Sequence, residues 1–190
     1  MPLPPDVTAL LDADVMRAIA DALDGRWSPD EESDDTRRRL LVTAARLRLY
    51  ADRDLCGWAL VTYHNARQAA FSRGGSEWTV GFVGSVENLE DAPREEEVRA
   101  LARIHGEAGI AAESAVALAW AVLTESVDLL VTAEPRSYRH SREMDLPERL
   151  KIVTPERALE LLRLRPGELP RVPLPPGSRW SDPDGWWIPR

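Results

Sequence analysis

The chain alternates short apolar runs with longer stretches whose apolar residues recur at helical spacing. The runs "DVTALL", "GWALVTY", "DLLVT" and "KIV" are typical of buried strands. The stretches "ADVMRAIADALDG", "NARQAAFSRGG" and "AAESAVALAWAVLTE" are typical of amphipathic or buried helices. Strands separated by helices predict an α/β fold, with a parallel sheet flanked by helices on both faces.

Two further helices and one doubtful strand complete this pattern. A helix is expected at about 93–107, with "REEE" in its first turn, where the helix dipole favours negative charge. The last helix is predicted in "VTPERALELLRLRPG", where Thr154 caps the start, Pro155 takes the first position and Gly167 follows the end. A third short strand is predicted at 79–83, and a loop is expected between "DLLVT" and "KIV".

The last part of the chain has a different composition. From Pro166 onward it holds seven of the fifteen prolines and three of the seven tryptophans, so it suits neither a helix nor a central strand. We expect an α/β domain at 1–165 and an extended Pro/Trp-rich C-terminal arm at 166–190. The arm either packs its tryptophans over its own domain or docks on a partner or on a second subunit of a homodimer.

Composition limits the classes of function. The chain has 190 residues and a net charge of -8, so it lacks a general attraction to nucleic acid or anionic membrane. The single cysteine, Cys56, excludes an internal disulfide and fits a reducing compartment. The N-terminus lacks the pattern of a signal peptide, and the most apolar run, "SAVALAWAVL", is too short to span a bilayer. We therefore expect a cytoplasmic protein without membrane partners.

Four carboxylates follow predicted strands or begin predicted helices. Asp12 ends the first strand, Asp14 follows it, Glu113 lies in the first turn of "AAESAVALAW" and Glu134 follows "DLLVT". Each alone is explained by helix capping, helix-dipole compensation or turn solvation. In a parallel sheet, however, strand ends share one edge, where ligands gather. Converging carboxylates repel one another, and a divalent cation such as Mg²⁺ or Mn²⁺ relieves that repulsion.

Two segments resemble the PIN domain family. "TALLDADVMRAI" looks like the family's opening strand, which ends in an aspartate and leads into an apolar helix. "GIAAESAVALAWAVLTESVDLLVTAEPRSY" looks like its most recognisable segment, an acid at the start of an Ala-rich helix followed by a strand and a Thr–polar–acid turn. "LKIVTPERALELL" matches the usual last strand and helix. The resemblance spans roughly residues 7 to 163.

The resemblance implies a metal-dependent nuclease that acts on RNA. Asp12, Glu113 and Glu134 would be the catalytic acids, and these three with Asp14 would bind Mg²⁺ or Mn²⁺. Thr132 would be the hydroxyl residue that supports the last acid. Water activated on the metal would attack a phosphodiester bond. A bacterial toxin of this kind would also have an antitoxin-like protein partner.

The chain departs from the family pattern at three of the acidic positions. The family favours Asp where Glu113 and Glu134 stand, and Glu is one methylene longer. The second acid of the family lies in the helix after the second strand, where "LVTYHNARQAAFSRG" has no carboxylate. Asn65 or Gln68 would take that place without charge. The alternative to a ribonuclease is therefore a degenerate, non-catalytic PIN-like domain that binds or assembles with a partner.

Arginines supply candidate contacts to nucleic acid. Arg37 and Arg38 belong to the basic helix "TRRRLLVTAARLRLY", and Arg136 follows the last acid. Arginine binds phosphate through two parallel hydrogen bonds, so these side chains would border an RNA site. The competing interpretation is a solvated helical face, balanced by the acidic loop "DEESDD" that precedes it.

Other site classes find less support. His64, His105 and His140 lack the spacing of zinc ligands, and "SRGGSE" lacks the lysine and spacing of a phosphate-binding loop. The Asp12–Ala13–Asp14 segment also resembles the nucleophile motif of haloacid dehalogenase-type phosphatases. That chemistry needs a lysine followed by a late pair of acids, and Lys151 has no such pair after it.

Overall fold

Five parallel strands form one sheet at the centre of the fold. They are β1 (Val7–Leu11), β2 (Trp58–Thr62), β3 (Glu87–Asn88), β4 (Leu129–Val131) and β5 (Lys151–Val153). Their order across the sheet is β3-β2-β1-β4-β5, and every neighbouring pair is parallel. The predicted α/β architecture with a parallel sheet is confirmed.

The computed structural model describes residues 7–23, 58–72, 77–89, 92–144 and 146–162. Several predictions fall outside these residues. They are the basic helix at 36–50 with Arg37 and Arg38, the cysteine Cys56, the end of the last helix at Gly167, and the arm at 166–190.

Seven helices of the described residues flank the sheet. They are α1 (Ala13–Leu23), α2 (His64–Phe71), α3 (Glu77–Ser85), α4 (Glu95–Glu107), α5 (Ala112–Leu123), α6 (Pro135–Ser141) and α7 (Pro155–Leu162). Helix α1 packs against α2, and α4 packs against α5. The predicted helices of these segments are confirmed, with ends that shift by a few residues.

The core lies on both faces of the central strands. Leu10 of β1 pairs in register with Val61 of β2 and Leu130 of β4, and all three side chains are buried. A parallel sheet covered on both faces needs continuous apolar strands, which explains why these runs do not alternate with polar residues. Met16 and Ile19 of α1 are also fully buried against this sheet.

The strand predicted at 79–83 is wrong, because these residues belong to α3. Thr79, Phe82, Val83 and Val86 are buried at the i, i+3, i+4, i+7 spacing of one helical face, whereas Val80 is exposed. The third strand comes later, at the two residues of β3. The β-branched composition of the segment favoured a strand, but burial of one helical face determined the structure.

The loop predicted after β4 is partly wrong, because it contains helix α6. Glu134 is the N-cap of this helix, and its side chain accepts a hydrogen bond from the backbone N–H of Arg136 at 3.1 Å. Pro135 occupies the first helical position, where its missing N–H is not needed. The sequence "TAEPRS" therefore contains a helix start that the loop prediction overlooked.

The strand order has a topological switch point between β1 and β4. From β1 it proceeds to β2 and β3 on one side, and it later returns to β4 and β5 on the other. The backbone N–H of Asp12 donates to Val131 at 3.0 Å, and that of Thr132 donates to Val153 at 3.1 Å, so the ladders extend one residue beyond the strands. Such a switch point is where open α/β sheets bind ligands. No helix of the described residues is long and apolar enough to cross a membrane.

Candidate functional site

Asp12 lies fully buried at the carboxyl end of β1, at the switch point. Its Oδ2 accepts a hydrogen bond from the Thr132 hydroxyl at 2.7 Å, and its Oδ1 accepts one from the Ala13 backbone N–H at 2.6 Å. The Tyr63 hydroxyl lies 3.4 Å from Oδ1, and Ser114 of α5 acts to lower the pKa of this carboxyl group. Groups from α1 and from the residues directly after β2 and β4 therefore fix the orientation of this one side chain.

Asp14 lies in the first turn of α1 and bridges to the end of β4. Its Oδ2 accepts from the Ala133 backbone N–H at 2.9 Å, and its Oδ1 accepts from the Val15 backbone N–H at 2.6 Å. The Ala133 contact connects segments 119 residues apart in sequence. Asp14 therefore links the two strand ends that form the switch point.

Burial makes negative charge costly for both aspartates. It raises the pKa of Asp12, although hydrogen bonds from Ser114, Thr132, Ala13 and Tyr63 act in the opposite direction. Burial first, and then the neighbouring charge of Asp12, raise the pKa of Asp14 to about 7. Two desolvated carboxyl groups that repel each other favour a bound cation or a retained proton.

Glu113 begins α5 close to these aspartates, but its side chain forms an ion pair with Arg17. Arg17 Nη2 lies 2.5 Å from Glu113 Oε2, and the side chains are 28% and 59% exposed. The hydrogen bond from Arg17 lowers the pKa of Glu113, and the same bond raises the pKa of Arg17. Asp14 and Asp12 also contribute to the raised pKa of Arg17, so the guanidinium lies within the field of all three acids.

Glu134 is half-buried after β4, where its side chain caps α6 as described above. Its backbone N–H donates to the Thr132 hydroxyl oxygen at 3.1 Å. Arg136, a predicted contact to nucleic acid, is exposed, and its Nη1 donates to the Gly109 carbonyl oxygen at 2.6 Å. The predicted acid and arginine therefore lie at the expected strand end, with side chains engaged in contacts within the protein.

All four predicted acids are nevertheless anchored at the same edge of the sheet. Ser114, the neighbour of Glu113, acts to lower the pKa of Asp12. Ala133, the neighbour of Glu134, donates to Asp14. The backbones of Glu113 and Glu134 are thus one residue away from groups that act on the two aspartates. The side chains that the structure brings together at the switch point are those of Asp12 and Asp14.

The structure does not bring the candidates for the missing second acid to this cluster. Asn65 and Gln68 are exposed on α2, and Gln68 Nε2 lies 2.9 Å from His64 Nε2. The residue of this segment that reaches Asp12 is Tyr63, immediately after β2.

Three residues of the site escaped the sequence analysis. Tyr63 follows β2 and stacks on Trp120, with ring centroids 5.9 Å apart, and its hydroxyl also lies 3.5 Å from the Glu113 carbonyl oxygen. The strand-end rule that selected the acids would also have selected Tyr63. Ser114 adjoins a predicted acid, and Arg17 lies three residues after Asp14, a spacing that places both on one helical face.

The carboxylates suit a hard divalent cation by their chemistry and position. Carboxylate oxygens are the donors that Mg²⁺ and Mn²⁺ prefer, and Asp12 and Asp14 offer them at the switch point. Among the described residues, however, no three His, Cys, Asp or Glu side chains are grouped so that they could hold one metal ion. Glu113 and Glu134 would have to exchange their present partners for the ion.

Comparison with known proteins adds no family assignment. No protein-family model matches this sequence, and no curated protein matches it either. The site is therefore defined by its own residues, the buried Asp12 and the partly buried Asp14 between β1 and β4, with Glu113 and Glu134 anchored beside them.

Proposed function

We propose that this chain is a PIN-like, divalent-metal-dependent ribonuclease. The observation that carries the proposal is the buried carboxyl group of Asp12 beside the partly buried carboxyl group of Asp14, at the switch point of a parallel sheet. Burying two neighbouring acids destabilises a fold unless a cation, a proton or hydrogen bonds compensate. A ligand site at this place in the sheet gives a functional reason for that arrangement.

The metal would be held by Asp12 and Asp14, with Glu113 and Glu134 completing its ligands. When bound, Mg²⁺ or Mn²⁺ would supply a water of lowered pKa and offset charge on the phosphodiester. Thr132 holds Asp12 through its hydroxyl and receives the Glu134 N–H on the same oxygen, so it orients one acid and fixes the backbone of another. Arg136 lies beside this edge as a candidate contact to an RNA phosphate.

Calorimetric titration with Mn²⁺ and Mg²⁺ tests the metal site without knowledge of the RNA. We expect saturable binding to the parent chain and a large loss of affinity in Asp12→Asn. The matched control is Asp128→Asn, since Asp128 precedes β4 and accepts from the Thr8 N–H at 2.9 Å, at the opposite edge of the sheet. Circular dichroism melting curves of each variant establish that it is folded.

A screen of single-stranded and structured RNAs then tests catalysis. We expect cleavage that requires the divalent cation and disappears in Asp12→Asn but persists in Asp128→Asn. Metal binding without cleavage of any RNA would refute the ribonuclease, and equal metal affinity in parent and Asp12→Asn would refute the site. The proposed setting is the toxin of a toxin–antitoxin pair, with an antitoxin-like protein as partner.

A specific observation favours a second candidate, a degenerate PIN-like domain that binds or assembles without catalysis. The Arg17–Glu113 ion pair already places a cationic group among the acids. The exposed Asn65 and Gln68 add no carboxylate. Size-exclusion chromatography with light scattering would test self-association as a homodimer. This candidate would be favoured over the nuclease if the parent and Asp12→Asn were both dimers, with the same oligomeric state in the presence and absence of metal.

A further inference from the structure

Arg17 contacts Glu113 and lies in the electrostatic field of Asp14 and Asp12 at the switch point. It lies on α1, three residues after Asp14, and extends to Glu113 at the start of α5. The segments that it joins are 96 residues apart in sequence. Its partners by charge are Glu113 first, and then Asp14 and Asp12, the three acids that the metal proposal also uses.

We infer that the Arg17 guanidinium is a built-in competitor of the divalent cation, which holds Glu113 until an ion takes that carboxylate from it. This inference rests on the proposed metal site and adds a controlling residue to it. Arg17 is a positioning residue here, because it acts through Glu113 and not on a substrate.

Competition follows from the contacts of one carboxylate. Glu113 Oε2 accepts the Arg17 Nη2 hydrogen bond at 2.5 Å, so the side chain is directed at the guanidinium. A divalent ion that recruits Glu113 has to break this contact and also approach a fixed positive charge. Both effects lower the apparent affinity for the ion.

The exposure of the pair indicates that the contact is reversible. The Glu113 side chain is 59% exposed and the Arg17 side chain 28% exposed, so solvent weakens their attraction. Exposed ion pairs of this kind contribute little net stability, and long side chains exchange partners readily. Asp12 and Asp14, by contrast, are fixed by backbone and buried hydroxyl donors. Glu113 is therefore the adjustable acid of the group.

The test is Mn²⁺ titration by calorimetry on the parent chain and matched variants. We expect Arg17→Met to bind Mn²⁺ about tenfold more tightly, because it frees Glu113 and removes a nearby positive charge. Arg17→Lys, which keeps the charge, should stay within about threefold of the parent. The double variant Arg17→Met/Glu113→Gln should lose the gain, because the freed carboxylate is then absent.

The control for a general charge effect is Arg157→Met. Arg157 pairs with Glu160 on α7, also at 2.5 Å, with side chains 60% and 62% exposed. Its removal should leave Mn²⁺ affinity unchanged. Unchanged affinity in Arg17→Met, an equal gain in Arg157→Met, or no Mn²⁺ binding to any variant would overturn the inference.

The outcome is separable from that of the proposed ribonuclease. Tighter binding in Arg17→Met without cleavage of any RNA would support the competition and refute the nuclease. If RNA cleavage and metal affinity are both the same in the parent and in Arg17→Met, the result would support the nuclease and refute the competition. Thermal melting of Arg17→Met and Arg17→Lys establishes that the measured proteins are folded.

Discussion

His105 is a buried imidazole whose protonation is expected to destabilise the folded protein. It lies in the last turn of α4, fully buried, and neither ring nitrogen has a hydrogen-bond partner among the described residues. The ring of His140 lies edge-on, with centroids 5.8 Å apart. Burial first, and the charge of His140 second, lower the pKa of His105 to about 4.

The size and sign of the effect follow from this lowered pKa. In the unfolded chain the imidazole has its ordinary pKa of 6.5, so the unfolded state binds the proton more tightly than the folded state does. Stability is therefore full above about pH 6.5 and is lost as the pH falls toward the folded-state pKa of about 4. The shift corresponds to about 3 kcal/mol of unfolding free energy, lost progressively across that window.

Urea unfolding, followed by tryptophan fluorescence at several pH values between about 4 and 8, measures this loss. The informative quantity is the difference in unfolding free energy between the parent and His105→Leu. The raised pKa of Asp14, about 7, has the opposite sign, since its contribution to stability is lost as the pH rises through that value. The difference cancels this contribution, because both proteins contain Asp14.

As the pH falls below about 6.5, we expect the unfolding free energy of His105→Leu to increase relative to that of the parent, by about 1.4 kcal/mol per pH unit. His64→Leu, which alters an exposed histidine of α2, is the matched control for the replacement of a histidine by leucine. A pH-independent difference between His105→Leu and the parent would refute the reasoning, because it would mean that His105 titrates alike in both states.

Substitutions at three further residues test contacts near the acids by urea unfolding. Gly109→Ala should cost about 1–3 kcal/mol, since Gly109 has φ 86° and an added Cβ would meet Arg136 Nη1 at 2.9 Å. An unchanged free energy of unfolding would contradict that strain. Thr132→Val should cost about 1–3 kcal/mol by removing the buried bond to Asp12, whereas Thr132→Ser should retain most of the stability. Tyr138→Phe should cost about 1 kcal/mol, because the Tyr138 hydroxyl donates to the Thr132 carbonyl; no loss would show that this bond adds nothing net.

The central strands were predictable because their burial on both faces imposes continuous apolar runs. The same rule failed for α3, where "TVGFVG" has the composition of a strand and the burial pattern of a helix. Counting the positions of Thr79, Phe82, Val83 and Val86 would have identified the helical face. Composition was given more weight than periodicity, and periodicity reflects which side chains are buried.

The edge at which the acids lie was also predictable, because parallel strands end on one side. The direction of each side chain was not, since it depends on which donors the fold places nearby. Glu134 had two predicted alternatives, a surface-turn residue or a pocket acid, and the structure gives it another role, because its side chain caps α6 through the Arg136 N–H. Glu113 was diverted by Arg17, a pairing across 96 residues that local sequence does not specify.

The energetic cost of the buried Asp12 and the partly buried Asp14 is the strongest physical argument for the proposed ligand site at this edge. Thr132, Ser114 and backbone N–H groups partly compensate Asp12, yet burial still dominates its raised pKa. Burial, and then repulsion by Asp12, raise the pKa of Asp14 to about 7. An uncharged pair at the same positions would avoid both penalties. The bond from the Ala133 N–H gives Asp14 a structural role between α1 and the end of β4, and the proposed cation site would in addition use the charge of both acids.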